Sequence, residues 1–195
     1  MKSRLRKLAL LAPALIVALA LGACGDSHTK VTTGTYAGES GQNAPYLNLG
    51  PLVYQVQLSR QLNPSDREDA GYLQGVPFSE GRLLPGQEWF GVFMQVYNNT
   101  DQVHKAAENI TITDTQGTVY RPLAVLTTKH YIYRAVNVPS KGLLPNADTT
   151  AQFGPTQGAM LLFKINTISL DNRPLEIKIV NPENPSETVS AELDV

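Results

Sequence analysis

Residues whose side chains could do chemistry are sparse in this chain of 195 residues. Cys24 is its only cysteine, and it directly follows Leu21-Gly22-Ala23. A deprotonated thiol is a nucleophile that can attack an electrophile, bind a metal or carry a lipid group. Because the chain has no second cysteine, Cys24 cannot form an internal disulfide, and its position in the sequence becomes its informative property.

The other residue types used in acid–base and metal chemistry are scattered. His28, His104 and His130 are far apart and lack the i, i+4 spacing of a helical zinc site. The sequence contains neither a Gly-x-Ser-x-Gly turn nor a glycine-rich phosphate loop. We therefore expect a protein without a catalytic site, a cofactor or a bound metal.

Two groups of residues leave metal hypotheses open. Asp66, Glu68 and Asp69 could bind calcium, but their spacing lacks the regular alternation of a calcium loop. Met94 and Met160 could bind copper, yet both occur in apolar runs without a histidine cluster nearby. The patterns favour a solvated acidic turn for the first group and core packing for the second.

Residues 1–23 have the layout of an export signal, with basic residues followed by an apolar run from Leu8 to Leu21 and then small residues. The sequence Leu21-Gly22-Ala23-Cys24 resembles the lipobox of bacterial lipoproteins. In that family the leader is removed just before the cysteine, whose sulfur carries a diacylglycerol and whose new amino terminus can also be acylated. The resemblance implies a protein held by lipid on Cys24 to the extracytoplasmic face of the cell membrane.

Two other fates of the leader remain open. The apolar run contains Pro13 and is shorter than the roughly 20 residues that a permanent transmembrane helix needs. Ordinary cleavage near Ala18-Leu19-Ala20 would release a secreted protein with an exposed free thiol, which is a liability in an oxidising compartment. Two or three acyl chains hold a protein to a membrane far better than one chain does, which favours lipid anchoring.

Composition limits the partners of the exported chain. From Cys24 onward, 12 Lys and Arg stand against 17 Asp and Glu, a formal charge of -5. Such an acidic chain has no overall attraction for nucleic acid. Residues 24–51 are polar and lack periodicity, which predicts a flexible tether spanning about 30 Å. We expect residues 52–195 to form the folded domain.

Short runs rich in β-branched and aromatic residues follow the tether, separated by Gly, Pro and Asn. They predict strands near Leu52–Leu62, Gly71–Val76, Glu88–Asn98, Asn109–Asp114, Thr118–Arg121, His130–Val136, Thr149–Phe153, Ala159–Ile165, Leu175–Val180 and Thr188–Leu193. Glu88–Asn98 is apolar on both faces, which indicates a central strand. Only Asp101–Glu108 suits a helix, so the pattern predicts an all-β antiparallel sandwich.

The turns are marked by a repeated motif. Leu83-Leu84-Pro85-Gly86 and Leu143-Leu144-Pro145-Asn146 each precede a predicted strand. Pro followed by Gly or Asn suits a type II turn, although a duplicated recognition motif is an alternative. Thr115-Gln116-Gly117 lies between two predicted strands and indicates a hairpin turn.

A wider resemblance covers about residues 84–182. Pro85-Gly86 leads into an aromatic strand ending in Asn98-Asn99-Thr100, and Ile110-Thr111-Ile112-Thr113-Asp114 then precedes Gly117 and Tyr120; Leu144-Pro145-Asn146 and the run 158–165 follow. This succession resembles the telokin-like, immunoglobulin-like domain of uncharacterised bacterial surface lipoproteins. The resemblance implies an immunoglobulin-like β-sandwich behind a lipobox and a tether, and the family offers no established activity or catalytic residues to transfer.

The best polar and aromatic cluster is 129–134. On a strand, Tyr131 and Tyr133 share one face while His130 and Arg134 share the other, so we take Tyr131, Tyr133 and Arg134 as candidate binding residues. Packing at an edge strand is the alternative. We expect a non-catalytic module that binds an envelope protein or polymer. A carrier of a small ligand or metal, or an envelope hydrolase, is less favoured.

Overall fold

The computed structural model of the chain describes residues 29–32, 46–126, 129, 131–154 and 156–193. Its strands are β1 (Thr29–Thr32), β2 (Tyr46–Leu49), β3 (Leu52–Leu62), β4 (Gln87–Asn98), β5 (His104–Lys105), β6 (Ile110–Thr113), β7 (Val119–Tyr120), β8 (Asn137–Val138), β9 (Leu143–Leu144), β10 (Ala159–Asn166), β11 (Leu175–Val180) and β12 (Thr188–Leu193). Its helical segments are α1 (Arg67–Tyr72), α2 (Thr150–Phe153) and a 3₁₀ helix (Thr167–Leu170). The leader, Cys24 with its predicted lipidation, and His130 lie outside the described residues.

The strands form two facing sheets, which confirms the all-β sandwich. Sheet 1 has the order β1-β12-β11-β6-β7, and sheet 2 has the order β10-β4-β3-β2, with β9 also pairing with β4. Neighbouring strands are antiparallel except β1 and β12, which run in parallel. A separate small ladder joins β5 to β8.

The main core lies between the sheets and is built by alternation along the strands. Phe90, Val92 and Met94 of β4 point to this core, and Ile177 and Ile179 of β11 meet them from sheet 1, all with 0% exposure. Burying a side chain of this size contributes about 1.5 to 3 kcal/mol, so this alternation is the main reason why the strands pair in this register.

The outer face of sheet 2 is also covered, as the two-sided apolarity of β4 predicts. A second cluster packs there around Trp89, Phe93, Met160 and Leu162. The cover comes from α1 and the loops near it, since the Tyr72 ring meets the Phe93 ring edge-on at 5.1 Å. Met94 and Met160 therefore lie on opposite faces of the sheet, in different apolar clusters, and both are core residues.

Two predicted strands are not strands and instead overlap short helices. Gly71–Val76 overlaps α1, which begins because the Asp66 carboxylate accepts the N–H groups of Glu68 at 2.8 Å and Asp69 at 3.1 Å. Thr149–Phe153 overlaps α2, whose single turn is too short to show a helical period.

Two further segments differ from their predicted structure. Asp101–Glu108, which suits a helix by composition, contains strand β5. His130–Val136 is not a regular strand in its described part, where Ile132 makes an isolated bridge to Met160. The prediction that Tyr131 and Tyr133 share a face depended on a regular strand there.

The folded domain begins earlier than the sequence pattern predicts. Strand β2, within the predicted tether of residues 24–51, pairs with β3 and buries Leu47 and Leu49, which are 1% and 2% exposed. Strand β1 pairs with β12 still earlier in the chain. Each has only four residues, too few for a period of two to stand out from a polar background.

Two of the predicted turns are confirmed and one differs. Gly86 has a φ of 78° and the Gln87 N–H donates to the Leu84 carbonyl at 3.0 Å, as a type II turn requires. Gly117, with a φ of 84°, closes the hairpin between β6 and β7. The second motif differs, because the Leu144-Pro145 peptide bond is cis.

Candidate ligand-binding groove

A groove of about 1020 Å³ opens at the end of the sandwich where β6 begins and β11 ends. Residues around Ile110 and Val180 form one side, and segments 121–126 and 132–135 form the other. β7 pairs with the second half of β6, and the chain then turns away from the sheet. The groove therefore occupies the space next to the first half of β6.

The groove is apolar at depth. Ile110, Leu161 and Ile132 line it and are 1%, 5% and 8% exposed. Ile110 and Leu161 belong to the main core, whereas Ile132 belongs to the cluster on the outer face of sheet 2. The floor thus lies where the two apolar clusters meet, and an apolar ligand group would contact both.

The opening of the groove is cationic. Lys105, Arg121 and Arg134 line it and are exposed, and Glu108 is the one carboxylate among the described lining residues. The Glu108 Oε2 lies 3.2 Å from the Lys105 Nζ, so this pair is neutral overall. Positive charge is therefore concentrated here in a chain whose formal charge from Cys24 onward is -5.

The lining residues that follow β11, which are Asn181, Pro182 and Pro185, belong to a segment held in place by its own hydrogen bonds. Asn181 donates its N–H to the Glu187 carbonyl at 3.0 Å and its side-chain amide to the Glu187 carboxylate at 2.8 Å. The Glu183 N–H donates to the Asn181 side chain at 2.9 Å, and the Glu183 carboxylate meets His104 Nδ1 at 3.0 Å. A wall formed before binding lowers the entropic cost of binding.

Two of the three predicted binding residues, Tyr133 and Arg134, line the groove, and Tyr131 does not. Arg134 lies at the opening of the groove. Tyr131 points away to the outer cluster, where its OH donates to the Gly71 carbonyl at 2.6 Å and its ring meets Tyr72 edge-on at 5.3 Å. Burial raises the pKa of Tyr131, in keeping with a packing role.

Tyr133 lines the groove but is buried as part of the main core. It is 9% exposed, and its OH donates to the Ala107 carbonyl at 2.7 Å. Tyr54 completes the arrangement by accepting the Ala107 N–H at 2.8 Å. Burial raises the pKa of Tyr133 well above its ordinary value and that of Tyr54 to about 12, so both hydroxyls stay neutral.

The acidic residues near α1 do not converge on one point. The Asp69 carboxylate lies 2.6 Å from the Arg60 guanidinium, while Asp66 caps the helix. Glu68 accepts from the hydroxyl of Thr156 at 3.1 Å. In the part of the chain that the structure describes, no group of three His, Cys, Asp or Glu residues could hold a metal ion.

A buried polar network lies at the opposite end of the sandwich, and sequence inspection does not reveal it. The Asp114 carboxylate is buried and accepts the Ser169 hydroxyl at 2.6 Å, together with the N–H groups of Gln116 at 3.0 Å and Thr118 at 2.8 Å. The Tyr120 hydroxyl shares a hydrogen bond of 2.7 Å with Ser169.

The negative charge of the Asp114 carboxylate has a structural role. Burial opposes ionisation of Asp114, but the hydrogen bonds from Ser169, Thr118 and Gln116 outweigh it and lower the pKa of the carboxyl. The carboxylate acts as the acceptor that closes the β6–β7 turn onto the 3₁₀ helix. Ser169 is 1% exposed, so its hydroxyl is not presented to a substrate in this structure.

The chain matches no known family profile and no curated protein sequence. Among solved structures it is similar to a functionally unknown protein from Listeria monocytogenes, with 9% identity, a TM-score of 0.49, and coverage of 83% of this chain and 90% of that one. The yjhA protein of Bacillus subtilis gives 10% identity, a TM-score of 0.49, and coverage of 80% and 99%. The Bacillus subtilis protein ycdA, a candidate lipoprotein, gives 8% identity, a TM-score of 0.45, and coverage of 76% and 38%.

In the described residues, no helix is both long enough and apolar enough to cross a bilayer. The fold assignment follows from the chain's own paired sheets and from the apolar core between them. This protein is an all-β sandwich with a preformed, apolar and cation-rimmed groove at one end.

Proposed function

We propose that this protein is a lipid-anchored, extracytoplasmic binding module of the bacterial cell envelope that does not catalyse a reaction. Cys24 would carry the lipid, and a telokin-like, immunoglobulin-like domain would present the ligand site. The groove is the observation that carries the proposal, because it combines a buried apolar floor with an exposed charged opening.

The chemistry of the groove supports binding over catalysis. Glu108 is exposed and paired with Lys105, and no histidine or cysteine occurs among the described lining residues. The buried ionisable residues Asp69 and Asp114 are engaged in structural contacts elsewhere in the fold. The apolar floor also supports the second candidate function, a carrier of a small ligand, which would use the same groove.

The anchoring part of the proposal is tested at Cys24. In cells that produce Cys24→Ser, the acceptor of the lipid thioether is missing, so we expect an unprocessed precursor and loss of the mature membrane-bound form. Processing and membrane association equal to those of the parent protein would contradict lipid anchoring.

The binding part is tested with a photo-reactive amino acid placed at Ala124, an exposed residue lining the groove. We expect a discrete adduct in intact cells that disappears when Arg121→Glu and Arg134→Glu are combined. The matched control carries the same photo-reactive group at Ala70, which is exposed on α1. Equal adducts from both positions, or an adduct from Ala124 that ignores the charge reversals, would contradict the groove as the binding site.

A further inference from the structure

The first strand of sheet 1 places the groove relative to the proposed lipid anchor. Thr29 pairs with Thr188, which pairs with Val180 of the groove lining. β6 runs antiparallel to β11, so Ile110 lies at this same end. The groove therefore opens at the end of the sandwich where the described chain enters sheet 1.

Covalent geometry limits how far this end can be from the bilayer. Thr29 is five residues beyond Cys24 in the sequence. A fully extended chain spans about 3.3 to 3.6 Å per residue, so Cys24 and Thr29 are at most roughly 18 Å apart. A lipid on Cys24 would hold the groove end of the domain close to the headgroups, rather than beyond a tether spanning about 30 Å.

The lining chemistry matches one kind of molecule found at that surface. Arg121 and Arg134 at the opening suit an anionic headgroup, and the buried floor at Ile132 and Leu161 suits an acyl chain. The volume of about 1020 Å³ is at the upper end of the range for small-molecule sites. A free phosphate would leave the apolar floor uncovered, and an uncharged lipid would make no use of the positive charge at the opening.

We infer that the groove binds an anionic amphiphile from the membrane in which the protein is anchored, with the headgroup at Arg121 and Arg134 and the acyl chain on the apolar floor. This inference rests on the proposed binding function and names its ligand class. It requires no reaction, only the transfer of a headgroup and part of a chain from the bilayer surface into the groove.

The test uses the mature chain from residue 24 with Cys24→Ser, produced without the leader so that it carries no lipid of its own. Calorimetric titration compares three probes: dihexanoylphosphatidylglycerol, dihexanoylphosphatidylcholine and glycerol 3-phosphate. We expect the first probe to bind at least about tenfold more tightly than the other two, because only it has both an anionic headgroup and acyl chains. Equal binding of glycerol 3-phosphate would overturn the amphiphile, and equal binding of the zwitterionic lipid would overturn the role of charge.

Paired variants locate the site. Arg121→Glu combined with Arg134→Glu should weaken binding of the anionic lipid about tenfold or more, whereas Arg82→Glu combined with Lys178→Glu, at exposed positions outside the lining, should leave it within about twofold. Ala124→Trp should weaken binding by obstructing the groove, and Ala70→Trp should not. Equal effects of either groove variant and its control would overturn the inference.

The salt dependence of binding is measured on the domain without groove substitutions, so its result does not depend on whether the variants fold. Raising the ionic strength from about 0.05 M to about 0.5 M shortens the Debye length, so binding of the anionic lipid should weaken several-fold while any binding of the zwitterionic lipid changes little. Salt-independent binding would overturn the inference. If the charge reversals abolish the Ala124 adduct in cells but the anionic lipid does not bind, the inference fails and the proposed binding function stands. If the charge reversals leave the adduct unchanged, the proposed binding function itself fails.

Discussion

The two ends of the sandwich use polar residues in opposite ways. At one end, Asp114, Ser169 and Tyr120 are drawn into a network that closes a turn. At the other end, Arg121 and Arg134 stand exposed above an apolar groove. An ionisable residue that is buried among its own hydrogen bonds stabilises the fold, whereas exposed cations above a buried apolar floor can still engage a ligand.

The largest effect on stability is expected at the end of the sandwich that holds the Asp114 network, which we call the closed end. Asp114→Ala removes the acceptor of three hydrogen bonds and leaves the Ser169 hydroxyl and two turn N–H groups without it. We expect the free energy of unfolding to fall by about 2 to 4 kcal/mol, measured by urea denaturation. Asp171→Asn is the control, because Asp171 is an exposed carboxylate near the same 3₁₀ helix. A loss below about 0.5 kcal/mol for Asp114→Ala would contradict a structural role for the network.

Acid should weaken the same network. The pKa values of Asp114 and Asp69 lie below the ordinary value of 3.8 because hydrogen bonds, and for Asp69 also Arg60, outweigh burial. A lowered folded-state pKa stabilises the fold above the ordinary value, and this stabilisation is lost as pH falls through the lowered values. We expect the melting temperature to drop as pH falls below about 4, and to drop less in Asp114→Asn. The same acid dependence in both proteins would show that Asp114 does not contribute.

A smaller effect on stability is expected at Tyr133, where a substitution can distinguish a packing role from a binding role. Tyr133→Phe removes the hydroxyl that donates to the Ala107 carbonyl, so we expect a loss of about 1 to 2 kcal/mol in unfolding free energy. Binding in the groove should persist, because the aromatic ring remains. Loss of binding with stability unchanged would identify the Tyr133 hydroxyl as a ligand contact. Tyr131→Phe, at a half-buried position, should cost less than Tyr133→Phe.

The smallest effect on stability is expected at the groove end. Arg121→Glu combined with Arg134→Glu should change the unfolding free energy by no more than about 0.5 kcal/mol, because both side chains are exposed. Thermal denaturation followed by circular dichroism checks this. A large loss of stability would mean that these arginines support the fold, as Asp114 does, and the contrast between the two ends would disappear.

The sequence predicts most of the fold and little of the groove. Leu52–Leu62, Leu175–Val180 and Thr188–Leu193 are strands with the predicted bounds, since alternating burial leaves a local pattern. The helix α1 escapes prediction because its cap at Asp66 is a contact that composition does not reveal.

The groove is a non-local feature. Lys105, Arg121 and Arg134 belong to separate segments that only the folding of both sheets brings to one opening. Among the predicted binding residues, Arg134 and Tyr133 line the groove, although Tyr133 is buried and bonded to Ala107. Tyr131 is turned to the outer cluster because the segment is not a regular strand. The number of charged or aromatic residues in a segment does not show which of them line a groove and which pack in the core, because burial in the folded protein decides this.

The central claim is that ligand binding belongs to the groove end. The most direct measurement is an amide chemical-shift titration of the mature, unlipidated chain with dihexanoylphosphatidylglycerol. We predict saturable shifts at Ile110, Ala124 and Val180, with none at Thr118 and Ser169 of the closed end. Shifts confined to Thr118 and Ser169, or spread evenly over both ends, would contradict the account.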